Sequence, residues 1–204
     1  MSPKPSVKEE RTQEIVEAAM KVFAREGFHH ATMDHIAEET GVSKGTLYLY
    51  FPSKDEIIFS LLEWFFQKEY SNFEKLGEGE ISARGKIEKV TQTFLDGLLA
   101  IRPFIPVMYE FFSLSARNPR VGEAIRNSLY GFMEQIQPVF EKGVENREFK
   151  NLDPESLVFT YGALIEGTLL IWSCDVEKID LRETLTNSLK IFFDGIMKEK
   201  IKGD

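Results

Sequence analysis

The residue types that most often do chemistry are scarce in this 204-residue chain. Its three histidines, His29, His30 and His35, sit close together, and its one cysteine, Cys174, lies far from all of them. His29 and His30 are adjacent, so they are poorly placed to share a metal on one helix face, and no cysteine pair exists for a zinc finger or an internal disulfide. No catalytic residue, metal ligand or cofactor is expected, which sets an enzyme aside. One stretch does carry usable chemistry. Thr40 to Lys54 (TGVSKGTLYLYFPSK) has two lysines among hydroxyl side chains and no acid. Lysines and hydroxyls are the groups that meet phosphate. On charge alone, a loop-rich segment that happens to lack acids fits equally well.

The elements that must hold this stretch are legible from apolar spacing and end signals. The periodicity is helical throughout, and no run alternates for long as a strand does. Ile15, Ala19, Val22 and Phe23 make one face of a first helix, ended by Gly27. Thr32 caps a second helix over Met33 to Thr40 that buries Ile36 and Ala37, and Gly41 ends it. Ser43 caps a third helix from Lys44, which Pro52 stops at Phe51. Ser53 with Glu56 reads as a capping box opening a long fourth helix to about Leu76. Residues 77–82 (GEGEIS) form the clearest loop.

Further along, Ile87, Val90, Phe94, Leu98 and Ile101 mark a fifth helix, and Pro103 and Pro106 fit the first turn of a sixth. Asn118-Pro119 opens a seventh, in which Pro138 predicts a kink. Asp153-Pro154 opens a very apolar eighth. Asp180 with Glu183 opens a ninth, along which Leu181, Leu185, Leu189, Phe192 and Ile196 form a stripe. The expected fold is all-α, with about nine helices.

Two short helices joined by Thr40-Gly41-Val42-Ser43 have the form of a helix-turn-helix. In that motif the second helix lies in the major groove of DNA and the first crosses the backbone. Leu47 and Phe51 are spaced to face a small core with Ile36 and Phe23, leaving Lys44, Thr46 and Tyr48 outward. Gly45 costs helix propensity, by about 1 kcal/mol relative to alanine, and so suggests a close approach to another surface. A purely structural helical hairpin is the alternative.

Thr32 to Glu56, read as TMDHIAEETGVSKGTLYLYFPSKDE, resembles the DNA-binding signature of the tetracycline-repressor (TetR) family of bacterial regulators. The likeness takes in the first helix from Ile15 and so covers roughly the first 60 residues. Beyond it, only Arg147 to Glu155 (REFKNLDPE) is similar to the family's usual loop. Thr40 stands where the family often has alanine, and His35 where Asp, Glu or Arg is common. The resemblance implies that Ser43, Lys44, Gly45 and Thr46 meet the groove of a double-stranded operator. It places Tyr48, Tyr50 and Lys54 on the phosphate backbone and Thr32 on a phosphate at its own helix N-terminus. It also implies a division into a three-helix DNA-binding domain, residues 1–54, and a helical ligand-sensing and dimerisation domain, residues 55–204. Helices eight and nine would form the homodimer, with Gly162, Ala163 and Gly167 allowing close approach.

The sensing part holds 20 of the 25 aromatic residues. Trp64, Phe65, Phe94, Phe104, Met108, Phe112, Phe132 and Trp172 are candidate walls of an apolar ligand pocket, with Tyr109, Tyr161 and Glu166 as polar anchors. Core packing is the simpler role for any one of them, and a surface or inter-subunit position for Glu166. The family implies a hydrophobic, aromatic or cationic effector that releases a repressor from its operator. A regulator gated by a protein partner, or not gated, is the competing reading.

The formal charge of −8 argues at first against DNA, but residues 1–54 carry only −1 of it and the rest −7. The polar start, Met1 to Arg11, shows no signal peptide, and Ser2 to Lys8 reads as a flexible arm. The apolar run from Leu157 to Trp172 is broken by Glu166 and falls short of the ~20 residues that span a bilayer. A cytoplasmic protein without a membrane partner is expected.

Overall fold

The computed structural model describes residues 6–61 and 81–198. Nearly every described element is a helix, and the one β feature is an isolated antiparallel bridge between Phe149 and Met197. The described residues fall into two compact units. One comprises those of Met1–Lys68 and Ile101–Ser128, the other those of Glu69–Ala100 and Leu129–Asp204.

In the first unit, α1 spans Val7–Glu26. It starts earlier than the expected arm allows, because Ser6 and Glu9 form a capping box: Ser6 Oγ accepts the Glu9 N–H at 3.3 Å, and Glu9 Oε2 accepts the Ser6 N–H at 2.6 Å. Lys8 is therefore helical. The buried face of α1 is Ile15, Val16, Ala18, Ala19, Val22 and Phe23. Helices α2 (Met33–Thr40) and α3 (Lys44–Tyr50) follow with the expected caps, Thr32, Gly41 and Ser43. Residues 54–61 are helical (α4), with Ser53 Oγ accepting the Glu56 N–H at 3.3 Å. The expected extension of α4 to Leu76 lies outside the described residues. A 3-10 turn at Arg102–Phe104 holds Pro103, and α6 (Ile105–Ser115) takes Pro106 in its first turn. Helix α1 packs on α2, on this turn and on α6. Ile36, Leu47, Phe51, Ile57, Ile58 and Phe111 close the core.

The second unit contains α5 (Ala83–Ala100), α8 (Pro154–Cys174) and α9 (Leu181–Ile196). The 27-residue α7 (Pro119–Glu145) begins in the first unit and ends in the second, and it is a single helix through Pro138. On α5 the buried position is Leu95, one residue on from the expected Phe94, which is half-buried. Ile101 lies past the helix end. Phe140 sits at the centre, its ring centroid 5.8 Å from Tyr161 and 5.9 Å from Phe149. Gly143 is required here, since a Cβ at that position would lie 2.3 Å from the Phe149 ring. Tyr161, considered as a ligand anchor, is instead a satisfied core residue. It is fully buried, its hydroxyl lies 2.7 Å from Thr91 Oγ1, and burial drives its pKa well above the ordinary tyrosine range.

Helix α8 extends beyond both ends of the apolar run from Leu157 to Trp172. Its Asp153 cap starts it at Pro154, which makes 21 residues, long and apolar enough by length and composition alone to cross a membrane. Seven of those residues, including Tyr161, Leu169 and Trp172, are buried, and α8 packs on α9. The apolarity is that of a core helix on one side. The other side exposes Phe159, Ala163, Glu166 and Leu170 at helical spacing, and Ile171 beside them.

Candidate DNA interface

The outer face of α3 is set by one anchor. Leu47 is fully buried, and its burial rotates the rest of α3 so that Lys44, Gly45, Tyr48 and Leu49 face solvent while Thr46 and Tyr50 are half-buried. Burying a leucine contributes roughly 2 kcal/mol, enough to set the orientation of a helix of this length. Ser43 fixes the helix start: its Oγ accepts the Thr46 N–H at 3.1 Å and lies 2.8 Å from Thr46 Oγ1. Thr32 does the same for α2, accepting the His35 N–H at 3.2 Å, and its side chain is exposed.

Gly45 has no internal reason to be glycine. Its φ is ordinary, and a Cβ there would meet only Ser43 Oγ at 3.9 Å, which is normal van der Waals contact. The backbone at Gly45 is open to whatever approaches α3 from outside. Lys44 is paired in the free protein, its Nζ 2.6 Å from Asp34 Oδ1 on α2, and that hydrogen bond raises the lysine's pKa. Both partners are exposed, so the pair is weak and exchangeable.

Leu49 is not among the residues that the motif singles out, yet it is 85% exposed, against 44% for Tyr48. An apolar side chain set out in solvent on a groove-sized helix is suited to the methyl group of thymine. The signal is present in the sequence, since Leu49 lies two positions from Leu47 and must face away from it.

Lys54 is placed differently from the expected phosphate contact. Its Nζ donates to the carbonyls of Phe28 and Ala31, the latter at 2.8 Å, and lies 4.2 Å from the centroid of the Phe28 ring. Burial lowers its pKa, with Asp55 and Glu110 opposing that shift. Its ammonium is committed inside the domain. His35 is likewise engaged within the domain, its Nδ1 2.5 Å from Glu26 Oε2 in a cluster that also joins Arg25 to Glu26 and Glu39. Among the described residues no cluster of acidic, histidine or cysteine side chains is arranged to hold a metal.

The candidate ligand-pocket residues divide between the units. Phe104 and Met108 line a cavity of about 20 Å³ with Met20, Leu61, Ile101, Val107 and Phe111, and Tyr109 and Phe112 are half-buried on the same helix. Phe94, Phe132, Glu166 and Trp172 belong to the second unit. There Phe132 stacks on Tyr161, with centroids 6.3 Å apart, and Trp172 is buried. Glu166, the sharpest candidate anchor, lies on the exposed side of α8, although the protein packed around it pushes its carboxyl pKa up. Trp64 and Phe65 lie outside the described residues.

Comparison with known proteins agrees with this geometry. Residues 15–61 match the family model described as bacterial regulatory proteins, tetR family. An uncharacterized helix-turn-helix transcriptional regulator of Bacillus subtilis, YfiR, is 28% identical over 97% of this chain and 98% of its own length. The fatty acid metabolism regulator protein of the same organism is 26% identical over 93% and 97%. The solved structure of the regulator FadR from Bacillus subtilis in complex with stearoyl-CoA superposes with a TM-score of 0.77 at 26% identity, covering 90% of this chain and 98% of that one. These relatives are DNA-binding transcriptional regulators and not enzymes. With the helix-turn-helix in place, residues 15–61 form a DNA-binding domain of the tetR family, and the likeness to bacterial transcriptional regulators extends over nearly the whole length of the chain.

Proposed function

We propose that the chain is a ligand-responsive repressor that binds a palindromic operator as a homodimer and leaves it when an effector with a long apolar part occupies the body. The observation that carries the DNA half is the outer face of α3, where Gly45 is unobstructed and Lys44, Tyr48 and Leu49 project together. Lys44, Thr46 and Leu49 read base edges. Thr32, Ser43, Tyr48 and Tyr50 set the register on phosphates, and the bare backbone at Gly45 admits the groove. Residues 1–54 do the reading, and residues 55–204 sense and dimerise, in the cytoplasm where the DNA is.

Two-fold pairing through α8 and α9 is supported by the apolar stripe on α8 and by Ile191 exposed on α9. A two-fold dimer offers one reading helix to each half-site of a palindrome, whose centres lie one DNA turn, about 34–36 Å, apart. The effector class is supported by the aromatic-rich body and by the stearoyl-CoA bound to the FadR relative. A regulator without an effector is favoured by the tight packing around Tyr161, Phe140 and Phe149.

The test has two stages. An operator is first recovered by selecting random duplexes on the full-length protein and footprinting the winners. A two-fold symmetric footprint is expected, and failure to enrich any sequence would remove the operator reading. Stearoyl-CoA is then titrated against the complex. Release of DNA at micromolar ligand supports the gated repressor, and unchanged binding with this and shorter acyl thioesters would leave the ungated reading.

A further inference from the structure

The turn between α1 and α2 is gripped from two other helices at a single residue, Phe28. From α6, Glu110 Oε2 accepts the Phe28 N–H at 2.7 Å, and Phe111 presents its ring edge-on to the Phe28 ring at a centroid distance of 5.9 Å. From the start of α4, Lys54 Nζ donates to the Phe28 carbonyl and to that of Ala31, and lies over the Phe28 ring. A carboxylate thus holds the donor of residue 28 while an ammonium holds its acceptor.

The approach of Glu110 is built into the backbone. Gly27, just before, has φ 76° and ψ 156°, a conformation open essentially to glycine alone. A Cβ at Gly27 would also lie only 3.3 Å from Glu110 Oε1. The residue that ends α1 is therefore the one that lets the carboxylate reach over the turn. Four residues beyond Phe28 stands Thr32, the cap of α2, and from there the α2–α3 pair begins.

We propose that Glu110 is a positioning residue for DNA binding. Through the Phe28 N–H, α6 sets the turn from which the reading pair springs, and Lys54 completes the hold from α4. Helix α6 also carries Met108, which lines the apolar cavity with Met20 of α1 and Leu61 of α4. The same helix thus touches both the turn and the packing beneath it. A small displacement of α6 changes the Glu110 bond before it disturbs the buried core, since a hydrogen bond weakens steeply with distance and angle. The inference rests on α3 being the DNA-contacting helix.

Full-length Glu110→Ala, Glu110→Asp and Glu110→Gln are compared with the unaltered protein and with Tyr48→Ala on the selected operator, well below their melting temperatures. Amide exchange at Phe28 is followed by NMR. Glu110→Ala is expected to lose about tenfold in operator affinity, the scale of one charge-assisted hydrogen bond, with no change in sequence preference and faster exchange at Phe28. Glu110→Asp, one methylene short, is expected to behave the same way and serves if the alanine variant does not fold. Glu110→Gln, whose amide oxygen can accept the same N–H, is expected to recover most of the affinity and the protection. Unchanged operator affinity in a folded Glu110→Ala or Glu110→Asp protein, with Tyr48→Ala impaired, overturns the positioning role. A glutamine variant as weak as alanine overturns it too. Unchanged binding in Tyr48→Ala instead overturns the assignment of α3, a separate failure.

Discussion

Lys44, the first residue of the reading helix, is tied to Asp34 of the preceding helix by a 2.6 Å ion pair. The ammonium expected to meet DNA is thus already occupied by a carboxylate in the free protein, and DNA must displace it. Asp34→Asn is expected to strengthen binding to unrelated DNA about two- to fivefold, the range of an exposed pair. Anisotropy titrations against a scrambled duplex measure this, and weaker binding of the variant would mean that Asp34 positions Lys44 instead of competing for it. Lys44→Ala is expected to alter sequence preference.

Leu49 gives the most specific test of base reading. Leu49→Ala is expected to cost about 1 kcal/mol at operators carrying thymine beneath it. Replacing each thymine in turn by deoxyuridine removes only the methyl group. One position should weaken the parent protein and leave Leu49→Ala indifferent. If no thymine shows that pattern, Leu49 does not read a methyl.

For Lys54 the sequence expectation and the geometry make opposite forecasts. If its ammonium met a phosphate, Lys54→Met would lower the salt slope of binding by about one unit. The internal bonds to Phe28 and Ala31 forecast an unchanged slope and a melting temperature lower by a few degrees. Operator titrations at several salt concentrations, alongside thermal melts, decide between them.

The outer stripe of α8 predicts the assembly. Leu170→Glu places a second carboxylate one turn from Glu166 on the side that also exposes Phe159, Ala163 and Ile171, and is expected to give monomers in sedimentation velocity while leaving helix content intact. Operator affinity should collapse with it, because two half-sites need two heads. A variant that stays dimeric would move the interface elsewhere.

Acid stability follows from the carboxylates held by hydrogen bonds. Hydrogen bonds from Ser6 hold Glu9 below its ordinary range, those from Arg25 and His35 hold Glu26 there, and those from Ser156 hold Asp153 there. The folded state then binds their protons less readily than the unfolded chain. Their contribution is present above the ordinary carboxylate range and is lost as pH falls through the depressed values, so the urea midpoint should drop between about pH 5 and pH 2. Asp153→Asn, which keeps a cap without a titrating group, is expected to flatten part of that fall.

Much of the fold is legible from residue types. The caps Thr32, Ser43, Asp153 and Asp180, the glycine stops at 27 and 41, and the α9 stripe are local signals, and each stands where its chemistry requires. The exposed reading face follows from Leu47 being buried. What cannot be read is anything set by partners distant in sequence. Lys54 and Glu110 are 26 and 82 residues from Phe28, and nothing near either one announces the turn they hold. The burial of Leu95 in place of Phe94 is a rotation of α5 fixed by its neighbours. Glu166 looks buried because its sequence neighbours are apolar, yet it lies on the side of α8 that its own unit leaves open.

The single anchor under α3 has a consequence for how this protein can change. Leu47 alone of the seven residues of α3 is locked into the core, and the exposed side chains of Lys44, Tyr48 and Leu49 owe little to the fold. On the proposed reading, substitutions at Lys44 and Leu49 exchange one operator for another at nearly constant stability. The reading surface is free to drift while the scaffold that presents it stays under selection, so descendants of one gene can inherit the same architecture and answer to different promoters.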